Sequence, residues 1–175
     1  MREQPVIPIP DELGQMFQAH HGLVFRTAYR VTGNAADAED VLQTVFLRML
    51  RRDQRARALE NQESYFRRAA INVSLDVVRA GKDSRSVPLD EVAPEALSEK
   101  RQEAENCELR DMLRRALARL NRREAEIFAM RFFEDMSNQE IAKLLGISQI
   151  HVAVILHRTR ARLQKEVRSY QGDRS

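Results

Sequence analysis

The sequence predicts an all-α protein made of two small helical domains joined by an acidic, flexible linker. Three observations support this fold class. Apolar residues recur at three- and four-residue steps in several segments, no segment shows the alternating pattern of a strand, and residues 86–108 combine two prolines with an acidic excess. With 175 residues and 43% hydrophobic composition, the chain can bury a core in each half.

The net charge of +3 conceals a separation of charge along the chain. Residues 86–108 carry seven acidic and two basic side chains, whereas residues 109–175 carry fourteen basic and eight acidic ones. A polyanion would therefore be attracted to the C-terminal half, and nucleic acid is the leading candidate partner.

Other function classes have little support in the sequence. No segment approaches the roughly 18 uninterrupted apolar residues of a membrane span, and the N-terminus lacks an apolar signal core, so we expect a cytoplasmic protein with no direct membrane insertion. Cys107 is the single cysteine, and no histidine pair has the spacing of a helical metal site. We expect no metal, no cofactor and no enzymatic activity.

The first half begins with a proline-rich tail, residues 1–10. A helical pattern follows from Asp11, with a predicted break near His21–Gly22, and Thr32–Gly33–Asn34 ends one helix and caps the next. The next helix, 35–51, places Ala38, Val41 and Val45 at core spacing. Its other side is polar, which fits either a solvated face with favourable end charges or a docking surface.

Residues 53–61 are polar and predict a loop before a further helix at about 62–80. Phe66, Ala70, Val73 and Val77 form its apolar stripe, while its other faces mix cations, amides and an aromatic residue. Such a surface suits phosphates and unpaired bases. An ordinary surface helix with a half-buried Tyr65 is the alternative.

The stretch from Gly81 to about Glu108 predicts a linker, so the two domains are expected to be free to lie at a distance from one another. The second domain begins at Leu109. Asn121 with Glu124 and Ser137 with Glu140 fit the capping box, which marks two helix starts.

Gly146 supplies a turn after the second of these helices, and Ser148 can cap a third helix that runs through Arg162. This order, a short helix, a glycine turn and a longer helix with arginines, is typical of a motif that places a helix in the DNA major groove.

Two stretches together resemble the extracytoplasmic-function (ECF) class of bacterial RNA polymerase sigma factors, of the sigma-70 family. AYRVTGNAADAEDVLQTVFLRMLRR, followed by YFRRAAINVSLDVVR, resembles sigma region 2, and LARLNRREAEIFAMRFFEDMSNQEIAKLLGIS resembles region 4. The resemblance implies region 2 at 11–85, the linker at 86–108, region 4 at 109–168 and a tail at 169–175. The implied partners are core RNA polymerase, promoter DNA and an inhibitory anti-sigma factor.

In this family the polar side of the helix 35–51 docks on core polymerase. The residues that the resemblance assigns to this contact are Asp37, Asp40, Gln43, Thr44, Phe46 and Arg48. Charge complementarity would orient the encounter, and Phe46 is expected to supply apolar burial.

The helix 62–80 resembles the segment that melts the promoter and reads its minus-ten element. The residues implied in this contact are Tyr65, Arg68, Asn72, Asp76, Arg79 and Lys82, with Arg85 as a further phosphate contact. Asp76 has a structural alternative, an ion pair with a nearby arginine. The loop 53–61 stands where the family captures a flipped base, but it contains no aromatic residue.

The resemblance places the minus-thirty-five recognition helix at Gln149–Leu163. The contacts expected here are Ser137, Asn138, Gln139, Gln149, His151, Ala153, Ile155, Arg158, Arg160 and Arg162. The last three are expected to clamp phosphates. The sequence departs from the family pattern at 151–155, which reads HVAVI, because alanine and valine cannot read guanine. Either Gln149 and His151 read bases, or a protein partner covers this apolar stripe.

Two other functions fit parts of the sequence. One is a helix-turn-helix regulator that acts on duplex DNA without joining polymerase. The other is a protein-interaction module whose DNA-reading helix is degenerate, which the apolar 152–156 run suggests. The absence of strands in the N-terminal half argues against the receiver domain that many such regulators carry.

Overall fold

The computed structural model describes residues 11–51, 61–81 and 110–172, and all regular secondary structure in these ranges is helical. The helices are α1 (Asp11–Thr32), α2 (Ala35–Leu50), α3 (Gln62–Ala80), α4 (110–119), α5 (Arg122–Phe132), α6 (Asn138–Leu145) and α7 (Gln149–Gly172). The predicted tail at 1–10, residues 53–60 of the predicted loop 53–61, the linker at 86–108, and Lys82, Arg85 and Leu109 lie outside the described residues. So do residues 173–175 of the predicted tail 169–175, whereas residues 169–172 of that tail belong to α7.

Helices α1, α2 and α3 pack into a three-helix bundle. Its core includes Val24, Val41, Met49 and Phe66, all of them fully or almost fully buried. The predicted cap at Asn34 is confirmed, because its side chain accepts the backbone N–H groups of residues 36 and 37. A capped start and an apolar stripe therefore set α2 against its neighbours.

The predicted break near His21–Gly22 is wrong, because α1 is one continuous helix. A glycine inside a helix costs only about 1 kcal/mol relative to alanine. Buried residues on both sides of it, Met16 before and Val24 after, fix α1 to the bundle along its length. Packing therefore outweighs the local preference.

Helices α4 to α7 form the second domain, and its predicted caps are confirmed. Asn121 and Ser137 each form a complete capping box, at the starts of α5 and α6. Gly146 ends α6 in the left-handed conformation with φ of 65°, which is open to glycine at little cost. The Ser148 hydroxyl accepts the N–H of His151, and α7 extends to Gly172, beyond the predicted end at Arg162.

The two domains are in contact, which differs from the expectation that they lie apart. Val31, Ile71 and Leu75 from the first domain are buried in the same apolar cluster as Leu117 and Ile127 from the second. The sequence pattern identified only one apolar stripe on α3. Ile71 and Leu75 give this helix a second buried face, directed at α5 and its neighbours.

Across the described ranges, no single helix is long and apolar enough to cross a membrane; α6 and the part of α7 up to Arg168, which meet at a 110° bend, meet that criterion only when taken together.

Candidate polymerase and nucleic-acid interface

The polar side of α3 meets α5 of the second domain. Arg68 Nε and Asn72 Nδ2 both donate to Glu126 Oε1, at 2.7 and 2.9 Å. The other carboxylate oxygen of Glu126 accepts from Arg123, one turn earlier on α5, at 3.2 Å. Two of the predicted minus-ten residues are therefore brought together, and a carboxylate occupies their donor groups.

The environment of Glu126 favours its charged form. Burial alone would raise its pKa, since its side chain is only 5% exposed. The hydrogen bonds from Arg68 and Asn72, with the positive charges of Arg68 and Arg123, outweigh that effect and hold the pKa of Glu126 below its ordinary value of 4.5. The carboxylate is thus ionised at neutral pH and balanced by its partners.

An open, arginine-rich cleft of about 930 Å³ surrounds this contact. Three of its arginines, Arg48, Arg51 and Arg122, make no hydrogen bond or ion pair with any residue that the structure describes. Tyr65 lines the same cleft beside Asn72. Cations, an aromatic ring and an amide are the kinds of group that bind a single-stranded polyanion with exposed bases.

The remaining minus-ten residues lie at the C-terminal end of α3. Arg79 Nη1 lies 3.7 Å from Asp76 Oδ1, so the ion pair that was the structural alternative for Asp76 is present. Arg79 remains 27% exposed, whereas Lys82 lies outside the described residues.

The predicted polymerase-docking surface follows the outer side of α2. Asp40, Gln43 and Arg48 are exposed, and Asp37 and Thr44 are half-buried. Each of these five residues is therefore accessible to a partner, as the prediction requires.

Phe46 differs from the prediction. It is only 7% exposed and packs in the bundle core, with its ring centroid 5.1 Å from that of Phe66. The apolar side chains that α2 does expose are Leu47 and Leu50, at 51% and 41%. Their three-residue spacing puts both leucines on the outer face of α2. They do not belong to the core-spaced set on which the sequence prediction for this helix relied.

The start of the helix-turn-helix carries the first minus-thirty-five residues. Ser137 and Gln139 are exposed and Asn138 is half-buried at the N-terminus of α6. The Ser137 hydroxyl is already engaged in the capping box with Glu140. Hydrogen bonds from the Ser137 backbone N–H and hydroxyl hold the pKa of Glu140 below its ordinary value.

On α7, Gln149, His151 and Ala153 are exposed, as predicted for groove-facing positions. Ile155 is not one of these, because it is half-buried and packs on the apolar cluster of the second domain. The exposed apolar residues of this helix are Ile150 and Val154, at 77% and 40%. The helical period explains which residues are exposed, because Val152, Leu156 and Thr159 form the buried face of α7 and Ile150 and Val154 lie off that face.

The three predicted phosphate clamps differ in their surroundings. Arg158 is exposed and has no partner among the described residues. Arg160 lies over the ring of Phe132, 4.8 Å from its centroid. Arg162 makes an ion pair with Glu124 at 3.4 Å and donates to the carbonyl of Arg119 at 3.3 Å. Two of the three therefore help to fix α7 to its own domain.

Two family profiles match the chain, and they fall on the two domains. The profile for sigma-70 region 2 matches residues 16–83, and the profile for sigma-70, region 4, matches residues 110–163. The first covers the bundle of α1 to α3, and the second covers α4 to α7 up to Leu163.

Three bacterial RNA polymerase sigma factors are similar to this chain over most of its length. The chain is 30% identical to the RNA polymerase sigma-E factor of Streptomyces coelicolor over 162 residues, which cover 89% of this chain and 86% of that protein. It is 29% identical to the sigma-E factor of Streptomyces avermitilis, with 93% and 88% covered. It is 28% identical to the ECF RNA polymerase sigma factor SigE of Mycolicibacterium smegmatis, with 98% and 66% covered.

A regulator that acts on duplex DNA alone would need only the helix-turn-helix domain, whereas here the N-terminal bundle matches region 2 as well. Sigma factors are non-enzymatic subunits of RNA polymerase that recognise promoters and start transcription, so core RNA polymerase and promoter DNA are the partners of this chain. The protein belongs to the ECF class of the sigma-70 family.

Proposed function

We propose that this sigma factor opens promoter DNA by holding the unpaired minus-ten strand on α3. The observation that carries the proposal is the alignment of Arg68 and Asn72 on one side of α3, beside Tyr65 and the arginine-rich cleft. Arg68 supplies charge for a phosphate, Asn72 supplies donor and acceptor groups for a base edge, and Tyr65 supplies a ring for stacking.

The energetics of strand opening fit this set of contacts. Unstacking and unpairing a base costs a few kcal/mol, and stacking on an aromatic residue returns about 1–3 kcal/mol per base. Hydrogen bonds to the exposed base edge supply the remainder. Because these interactions exist only with unpaired DNA, they shift the equilibrium toward the open promoter.

Two further surfaces, the outer side of α2 and the exposed side of α7, would bind polymerase and duplex DNA during strand opening. We propose that the outer side of α2 docks on core polymerase through its acidic residues, with Leu47 and Leu50 as the apolar part of the contact. The helix α7 lies in the major groove of the minus-thirty-five element, and Arg158 contacts phosphate. Gln149 and His151 are its base-reading side chains.

The exposed apolar residues Ile150 and Val154 favour an additional protein partner for α7. At 77% and 40% exposure they form an apolar strip in the middle of a DNA-reading surface. We propose that an inhibitory anti-sigma factor covers this strip in the cytoplasm, without membrane insertion by this chain. Binding of that factor and binding of minus-thirty-five DNA would be mutually exclusive.

Replacement of Asn72 tests the promoter-opening role. In run-off transcription with core polymerase on a promoter from the source genome, Asn72→Ala is expected to reduce open-complex formation by about one to two orders of magnitude, the effect of losing roughly 1–3 kcal/mol of hydrogen bonding to a base edge. Permanganate reactivity of the promoter thymines measures opening directly. Arg79→Ala is expected to act in the same direction.

Gln18→Ala is the control, because Gln18 is an exposed amide on α1, away from the cleft. All three variants are expected to retain affinity for core polymerase. Unchanged thymine reactivity in Asn72→Ala, with normal core binding, would refute the assignment of α3 to the unpaired strand.

A further inference from the structure

The contact between the two domains contains a buried carboxylate whose ion-pair partners within the described ranges come from the opposite domain. Glu134, just after α5, has a fully buried side chain. It accepts from Arg67 of α3 at 2.6 Å and from Arg30 of α1 at 3.1 Å. A buried charge without a partner is costly, so this glutamate strongly favours the arrangement in which the domains touch.

Glu126 forms the second part of the same contact. It binds Arg68 and Asn72 of α3, two turns along α5 from Glu134. The two glutamates thus face one continuous stretch of α3, from Arg67 to Asn72. The acidic edge of the second domain complements the basic face of the first in both position and charge.

Apolar packing supports these ion pairs. Ile71 lies on α3 between Arg68 and Leu75, and both Ile71 and Leu75 are buried within the cluster of the second domain. The domains also touch where the guanidinium of Arg114, from α4, covers Gly33 so closely that a Cβ at this glycine would overlap it. We call this combination of contacts the closed arrangement.

The closed arrangement competes with DNA for α3. The Glu126 carboxylate takes the Arg68 Nε–H and one amide N–H of Asn72, and its charge offsets the cation that would attract a phosphate. A DNA strand must therefore displace Glu126 to use these donors and the full charge of Arg68.

The minus-thirty-five side is not blocked in the same way. Gln149, His151 and Arg158 on α7 are exposed while the domains are closed. The closed arrangement therefore occludes the strand-opening helix and leaves the duplex-reading helix accessible. This asymmetry is expected of a state in which the chain can meet duplex DNA but binds an unpaired strand more weakly.

We infer that Glu126 and Glu134 keep the free sigma factor in an autoinhibited state, in which the acidic edge of region 4 occupies the minus-ten surface of region 2. This inference rests on the proposed role of Arg68 and Asn72 in contacting promoter DNA. Release requires a competitor for the same cations, such as the DNA strand itself, or the separation of the domains when they dock on polymerase.

The test uses the full chain with both glutamates replaced by their neutral isosteres, Glu126→Gln with Glu134→Gln. Two quantities are measured: the radius of gyration by small-angle X-ray scattering, and the affinity for a fluorescent, mixed-sequence single-stranded DNA by anisotropy. The double variant is expected to be more extended and to bind the strand about tenfold more tightly, the gain when a closed fraction of about nine-tenths is released.

A control with the same change in net charge separates opening from simple electrostatics. Asp135→Asn with Glu39→Gln also removes two negative charges, from exposed side chains that have no partner in the described parts of the chain. Asparagine also tolerates the positive φ of 52° at position 135. This control is expected to remain compact and to gain much less affinity.

A third variant, on the opposite side of the contact, keeps the inference testable if the double variant misfolds. Arg30→Ala removes one partner of Glu134 from a half-exposed position outside the proposed DNA surface. It is expected to extend the chain and to increase single-strand affinity in the same direction, although by less.

The outcomes distinguish the inference from the function on which it rests. If neither the double variant nor Arg30→Ala changes the radius of gyration or the affinity, autoinhibition is wrong, while loss of opening in Asn72→Ala would still support the proposed function. If the chain extends without any gain in affinity beyond the charge control, Arg68 and Asn72 are not the strand contacts, and both proposals fail.

Discussion

The arginines of α7 show how the same residue type serves two purposes on one helix. Arg158 is exposed and free of partners in the described chain, whereas Arg162 bridges to Glu124 and to the backbone of Arg119. A guanidinium that already holds its own domain together has fewer donors left for phosphate. The sequence spacing alone treats these residues as equivalent, since they are separated by four positions.

Replacing these two arginines separately is expected to affect two different properties, duplex binding and stability. Arg158→Ala should weaken binding of residues 1–175 to minus-thirty-five duplex and reduce the slope of log affinity against log salt by about 0.9, the value for one phosphate contact. Its melting temperature should not change. Arg162→Ala should lower the unfolding free energy by at most about 1 kcal/mol, the usual limit for an exposed ion pair.

Titration of duplex binding against salt, with thermal unfolding of the same samples, measures both effects. Lys143→Ala serves as the control, because Lys143 is an exposed cation of α6 with no partner in the described ranges. Equal salt slopes for Arg158→Ala and the unmodified chain would remove Arg158 from the phosphate contacts.

At the level of the helices, local chemistry predicted most of what forms. Asn34, Asn121 and Ser137 cap the helices that their sequence positions indicated, because capping depends only on residues within one turn. The continuity of α1 past Gly22 was not predicted, since it depends on packing against α2 and α3.

The site was predicted less completely than the helices. The sequence predicts Asn72 and Arg68 as DNA contacts, but it does not predict the role of Glu126, because the partners of Glu126 on α3 lie more than fifty positions away. Phe46 was placed on the docking surface although it is buried. The helical period indicates which residues share a face, but not which of two apolar faces meets a partner.

The capping box of α6 makes a contribution to stability that depends on pH. Hydrogen bonds from the backbone and hydroxyl of Ser137 lower the pKa of Glu140 in the folded chain. A carboxyl whose folded-state pKa is depressed stabilises the fold above its unfolded value of about 4.5 and loses that contribution as the pH falls through the folded value. Glu140→Gln should therefore be destabilising at neutral pH and nearly neutral in acid.

Denaturant unfolding at several pH values between neutrality and acid measures this difference. Asp135→Asn, which removes an exposed carboxylate without a partner in the described chain, is the control for the loss of one negative charge. A constant difference for Glu140→Gln across the same range would show that the carboxylate does not contribute through its charge.

For the whole molecule, the structure links the two family regions through charge as well as apolar packing. Ile71 and Leu75 would become exposed if the domains separated, and Glu126 and Glu134 would lose their partners in the first domain. Under the proposed autoinhibition, this interface holds the free chain closed until a competing polyanion or partner displaces it, because the arginines gain an equivalent anion in exchange.

The pKa of Glu126 provides a further prediction about this equilibrium. The charged, amide and titratable groups that face its carboxylate or line the cleft around it are Arg48 of α2 and its C-cap Arg51, Tyr65, Arg68 and Asn72 of α3, and Arg122 and Arg123 of α5. None of them adds negative charge. Because the pKa of Glu126 is lowered in the closed arrangement, the contribution of Glu126 to closure is fully present above about pH 4.5 and is lost as the pH falls through the closed-state value.

Single-strand affinity and the radius of gyration, measured from neutral pH downward, should therefore both increase below about pH 4.5, before the helices unfold as judged by far-ultraviolet circular dichroism. Glu126→Gln cannot titrate at this position, so its transition should be weaker and its affinity at neutral pH already higher. Were the unmodified chain and Glu126→Gln to expand along the same pH curve, the ionisation of Glu126 would have no part in closure, and the contact would depend on Glu134 and the apolar layer alone.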